Sequence, residues 1–145
     1  MRLYITILFF SLSFICKAQL NQTDSEYFEI YKLHELTCDQ VIDSMNTLNQ
    51  VNGRAIGENG FMTSNYAYFL KLKHDCDIDK LLKLINHSNP VVRVYAYKAL
   101  EYRNYKNIHE IDKILKKDKQ DVRFMIGCKG GTLDVYYVVK NIEIL

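Results

Sequence analysis

Apolar positions recur at helical spacing along most of this chain. Tyr27, Ile30, Tyr31 and His34 fall at i, i+3, i+4 and i+7, the period of one helix face. Thr23 or Asp24 can cap this helix, and Glu26 suits the positive end of its dipole. Thr37 opens a second helix with Val41, Met45 and Leu48 on one side, and Thr37–Gln40 matches a loose capping box. The pattern then breaks at "QVNGRAIGENGF", Gln50 to Phe61, which holds Gly53, Gly57 and Gly60. An exposed irregular connector is expected there. Helical spacing resumes after Thr63 or Ser64, with Tyr66, Phe69, Leu70 and Lys73. It continues after Asp75 or Asp77, with Ile78, Leu81, Leu82 and Ile85. In Asn86–Leu100, Ser88 or Asn89 caps a helix whose first position is Pro90, the chain's one proline. Val92, Tyr95, Ala96, Ala99 and Leu100 form its buried stripe, leaving Arg93, Tyr97, Lys98 and Glu101 outside it. Ile108, Ile111 and Leu115 mark a further helix. The β-branched and aromatic runs "VRFMIGC" and "LDVYYVV" flank "KGG" near the end. They fit a terminal β-hairpin, with a helix as the alternative.

Two segments repeat. "IDKLLK" at Ile78–Lys83 returns as "IDKILK" at Ile111–Lys116, 33 residues on. Val92–Arg93 returns as Val122–Arg123, 30 residues on. A period near 30 belongs to stacked helical hairpins, each burying its apolar face on a neighbour. "LLKLINHSNPVVRVYAYKAL" resembles a HEAT-like repeat. The likeness covers about residues 76–117 and reaches weakly to 61 and 128. It implies a mainly α fold, a short α-solenoid of HEAT-like hairpins that ends in a β-hairpin cap if the last segment forms strands. It also implies that Pro90 turns the chain into the second helix and that Val92, Ala96, Ala99 and Leu100 pack it. Arg93 takes the place of the repeat's surface or inter-repeat arginine, and the implied role is that of a protein-binding scaffold. Gly127, Gly130 and Gly131 depart from the pattern, because small helix formers belong there.

The first residues read differently. "MRLYITILFFSLSFICKAQ" has Arg2, an apolar run from Leu3 to Ile15, and a small-x-small "CKA". The run is shorter than the roughly 20 residues of a stable membrane anchor. It reads as a signal peptide over residues 1–18, cut after Ala18, with one domain over 19–145. Acylation of Cys16 is the lipoprotein alternative, weakened by Ile15 before it. Export to the periplasm or medium follows. Loss of Arg2 and Lys17 balances the 19 basic against 17 acidic residues. A neutral chain gives no reason to expect nucleic acid as a partner.

Three cysteines remain, and an oxidising compartment favours a bridge, for which Cys38 and Cys76 are the preferred pair. His34, Cys38, His74 and Cys76 could be drawn together as a zinc site, but recurring ligand spacing is lacking. No cofactor motif is present: "GRAIGENG" lacks the Gly-Lys-Ser/Thr ending of a phosphate loop. Tyrosine suits interfaces, being broad and polar-tipped, and there are 11 tyrosines and no tryptophan. The expected partner is another protein, bound on a face of Arg93, Tyr97 and Glu101 without catalysis. The alternatives are a secreted inhibitor or immunity-type protein, and a zinc- or thiol-dependent hydrolase.

Overall fold

A computed structural model describes residues 24–144. The leader, its cut after Ala18 and Cys16 lie outside these residues. Residues 24–30 form helix α1. Lys32 adopts a left-handed conformation, φ 48°, and breaks that helix before a short 3-10 turn at Leu33–Glu35. The long stripe read through His34 therefore stops early: Tyr27 is buried and Ile30 is exposed. Helix α2 (Cys38–Met45) starts at the Thr37 capping box, with Gln40 answering the Thr37 backbone. Helix α3 (Ser64–Asp75) is capped by Thr63. Helices α4 (Ile78–Leu84), α5 (Pro90–Tyr102) and α6 (Ile108–Leu115) follow.

The Gln50–Phe61 segment is not an irregular connector. Gln50–Ile56 is strand β1, and the chain turns back through Gly57 and Gly60, both at positive φ, to a bridge between Ile56 and Phe61. Glycine and asparagine inside the strand hide its alternation. Gly53 is needed there, because a Cβ would sit 2.9 Å from Ile126 Cδ1 on the neighbouring strand.

The chain ends as β2 (Asp121–Gly127), β3 (Lys129–Asp134) and α7 (Val135–Asn141). A hairpin is present, but its turn falls at Gly127–Cys128, with "KGG" inside β3 rather than between the strands, and "VYYVV" is helical rather than extended. Asp134 accepts from the Tyr137 amide and starts that helix. The turn at Gly127–Cys128 has Gly127 at φ 55°, the left-handed first position a two-residue hairpin loop needs. The strand order is β1-β2-β3, with β1 parallel to β2 and β3 antiparallel to it. The fold is thus mainly α-helical with one small mixed sheet.

Helix α5 runs through the middle. It packs against α2, α3, α4, α6, α7, β1 and β2, and every residue from Val91 to Leu100 is buried. A helix enclosed on all sides has no solvent face, so its sequence stripe understates its burial.

Candidate functional site

Arg93 and Tyr97 do not form an exposed face. Arg93 retains 7% of its surface. Its Nε and Nη2 meet the Asp118 carboxylate at 2.7 and 3.2 Å, and Nη2 also donates to Gln120 Oε1 at 2.8 Å. Nη1 donates to the carbonyls of His87 and Ser88. The planar fork of a guanidinium suits this task. It ties the turn before α5 to the segment that leads into β2. Arg123, the sequence counterpart of Arg93, instead lies exposed on β2.

Tyr97 is 1% exposed. Its hydroxyl donates to Asp112 Oδ1 at 2.7 Å and accepts from Lys140 Nζ at 3.2 Å, and Lys140 also pairs with Asp112. This set joins α5, α6 and α7. Burial, then the bond to Asp112, pushes the Tyr97 phenol up to about 12. The bond with Tyr97 leads the causes that hold Lys140 above its ordinary range. Glu101 is exposed and pairs with Lys98 at 3.0 Å. Of the three residues expected on a partner face, it alone reaches solvent. The face fails because its helix is central, which the spacing of apolar residues on that helix does not reveal.

Cys38 and Cys76 are joined in a disulfide, with Cα atoms 5.7 Å apart. The bond fixes the start of α2 to the end of α3. Arg103 reinforces the same end of α3 by donating to the carbonyls of Leu72, Lys73 and Cys76. Cys128 is free and exposed at the hairpin tip. The thiols needed for a His34/Cys38/His74/Cys76 site are consumed in that bond. His34 pairs with Glu29 and His74 lies 3.4 Å from Asp24. Among the described residues no three histidine, cysteine or acidic side chains gather as a metal site, and no helix is long and apolar enough to cross a membrane.

The two edges of the sheet differ. On β1, alternate residues turn their backbone groups away from β2, and a side chain meets the carbonyl of each and the N–H of Asn52 as well. Asn65 Nδ2 donates to the Gln50 carbonyl at 2.8 Å. The Tyr95 hydroxyl accepts from Asn52 N at 2.7 Å and donates to Asn52 O at 3.1 Å. The Tyr27 hydroxyl donates to the Arg54 carbonyl. Helices α3, α5 and α1 thereby close the edge over five residues. Burial raises the Tyr27 phenol to about 12 and that of Tyr95 further.

On β3, Ile126 and Lys129 close the turn as a hydrogen-bonded pair, and the pattern alternates from there. The bond from Val135 N to Gln120 O continues the same alternation beyond the strand. Gly130 and Thr132 therefore direct their N–H and C=O groups outward, and no described strand pairs with them; the Asp134 carbonyl is taken up as the N-cap acceptor of α7. Lys129 through Thr132 are exposed. Grooves lie on both faces of this hairpin. One of about 440 Å³ is lined by Leu48, Pro90, Val91, Arg123 and Thr132 among others. The other, about 540 Å³, is lined by Phe124, Ile126, Lys129, Asn141, Ile142 and Glu143. Sequence reading placed the hairpin but not its open edge. Which strand lies at an edge depends on β1, hidden in the glycine-rich segment. No family model matches this chain, and no curated protein matches it.

Proposed function

We propose that this chain is a non-catalytic exported protein-binding module that takes an extended segment of a partner protein along the outer edge of β3. The observation that carries the reading is the pair of outward backbone N–H and C=O groups at Gly130 and Thr132, on a sheet whose opposite edge is closed. Strand addition draws affinity from main-chain hydrogen bonds and specificity from pockets for alternate side chains. Gly130 and Gly131 present no side-chain barrier to an approaching backbone. The two flanking grooves would receive side chains of alternate residues. The groove beside Phe124, Ile126 and Ile142 suits an aliphatic residue. The Cys38–Cys76 bond agrees with an exported location, since disulfides persist where thiols are not kept reduced. Helices α4, α5 and α6 fit a single HEAT-like unit with a start of the next. In that description the sheet occupies the place of further repeats.

The test is a pull-down from the periplasmic or secreted fraction with wild type, Thr132→Pro and Glu101→Ala. The Thr132 N–H points away from β2, so proline removes the outward donor without breaking the hairpin ladder. The expected result is that proteins captured by wild type are lost with Thr132→Pro, kept with Glu101→Ala, and that all three chains melt alike. A Thr132→Pro chain that retains the same captured proteins overturns the reading.

A further inference from the structure

Helix α1 is fastened differently from the other parts that close the β1 edge. Asn65 and Tyr95 stand on helices within the core. Tyr27 stands on α1, at the start of the described chain, and a small charged cluster holds that start in place. Asp24 Oδ2 accepts from Lys73 Nζ at 3.1 Å and lies 3.4 Å from His74 Nε2. Lys73 is buried, with its ammonium 4.3 Å from the centre of the Tyr102 ring. The His74 ring stands between Phe28 of α1 and Tyr102 of α5, with ring centres 6.0 and 5.9 Å away.

We infer that Asp24, Lys73 and His74 form a proton-sensitive latch, which holds α1 and its Tyr27 against the β1 edge more firmly when His74 is charged. The charges facing His74 settle the sign. From α1 comes the Asp24 carboxylate. From α3 comes Lys73, its sequence neighbour, and from the end of α5 come the Tyr102 ring and the Arg103 guanidinium, the latter taken up by the carbonyls of Leu72, Lys73 and Cys76. Lys73 repels an imidazolium, but it is already turned onto Asp24 and the Tyr102 ring. Asp24 is within direct reach. A charge-assisted bond is roughly twice as strong as a neutral one, and imidazole is the side chain that ordinarily changes charge near neutral pH. Burial opposes the Asp24 charge, yet the bonds from His74 and Lys73 keep its carboxyl below the ordinary range. The carboxylate therefore persists while the imidazole gains its proton. The latch is tightest when Asp24 carries its negative charge and His74 its positive one, and it loosens when either charge is lost.

Releasing α1 removes the Tyr27 hydroxyl from the Arg54 carbonyl and opens the last closed position of that edge. The inference rests on α1 alone and stands apart from the role proposed for β3. Hydrogen exchange of the amides in residues 24–30 of the full chain, corrected for intrinsic rates, tests it at about pH 5.5 and about pH 7.5, either side of the usual histidine range. Wild type should be several-fold more protected at the lower pH. His74→Gln, which keeps a neutral donor, and Asp24→Asn, which removes the charge that attracts the proton, should each abolish the difference. Equal protection of wild type at both pH values overturns the latch, as does a pH difference that survives in His74→Gln.

Discussion

The sheet has one edge that helices have closed and one that they have left open. On β1 every outward backbone group named above meets a side chain, and two of the three side chains are tyrosines. On β3 the outward groups of Gly130 and Thr132 meet no neighbouring strand of the described chain. Edge strands invite pairing with other chains, and proteins suppress this by covering them or shortening them. Here the cover is applied to one side only. The contrast teaches that a buried tyrosine can act as a substitute strand: its hydroxyl donates and accepts at once, as Tyr95 does at Asn52. Its phenol keeps the proton that makes both bonds possible.

That contrast can be broken first with alkali. The Tyr27 and Tyr97 phenols are raised from 10.0 to about 12, and those of Tyr66 and Tyr95 also move up, in each case first because of burial. A group raised in the folded state contributes stability that is complete below its unfolded value and is lost as pH climbs through the folded one. The chain should hold its melting temperature up to about pH 10 and lose it steeply toward pH 12 and beyond. Thermal melts read beside tyrosinate absorbance check this. If all 11 tyrosines ionised near 10 without loss of fold, the closed edge would not be closed.

Replacing Cys38 and Cys76 together by serine should be next in size. The bond spans 38 residues, for which loop-closure entropy gives about 4 kcal/mol. Urea denaturation measures it. Arg93→Met should cost about 3 kcal/mol by the same method, since it leaves the Asp118 carboxylate without its partner in a largely buried place. Tyr95→Phe tests the edge directly. It keeps the ring and strands the Asn52 N–H and C=O, at about 2 kcal/mol. The equivalent change on the open side, Thr132→Val, should move stability by less than about 0.5 kcal/mol. A loss there as large as that of Tyr95→Phe would erase the distinction between the edges.

Much of the helical part was legible from local chemistry. The Thr37 box, the Thr63 cap and the Asn89–Pro90 start lie where side chains near in sequence satisfy the first turn. Asn89 shows where such reading ends. It caps α5 through Oδ1, but its Nδ2 also donates to the carbonyls of Met45, Asn46 and Leu48, which no local pattern announces. β1 is hidden because Asn52 and Gly53 interrupt its apolar alternation: the Asn52 side chain accepts from Gln50 Nε2 within the strand, and Gly53 leaves room for Ile126 across from it. The end of the chain was half legible: β-branched residues favour strands by propensity, yet the Asp134 cap turns Val135–Asn141 into a helix that packs against α5. The partner face was misplaced for the reason that α5 is central. Burial of a whole helix depends on how many neighbours arrive, and those neighbours come from both ends of the chain.

The parallel pairing of β1 with β2 also governs how the molecule comes into being. Gln50 pairs with Arg123, and four helices must be threaded between them before that pair can form. Loop closure over such a distance slows folding compared with a purely local helical stack. During synthesis β1 emerges early and waits for a partner far along the chain. The tyrosines and the asparagine that cover its outer edge all precede β2 in sequence. They can shield one side of the waiting strand before its true neighbour arrives, a form of self-chaperoning written into the order of the residues.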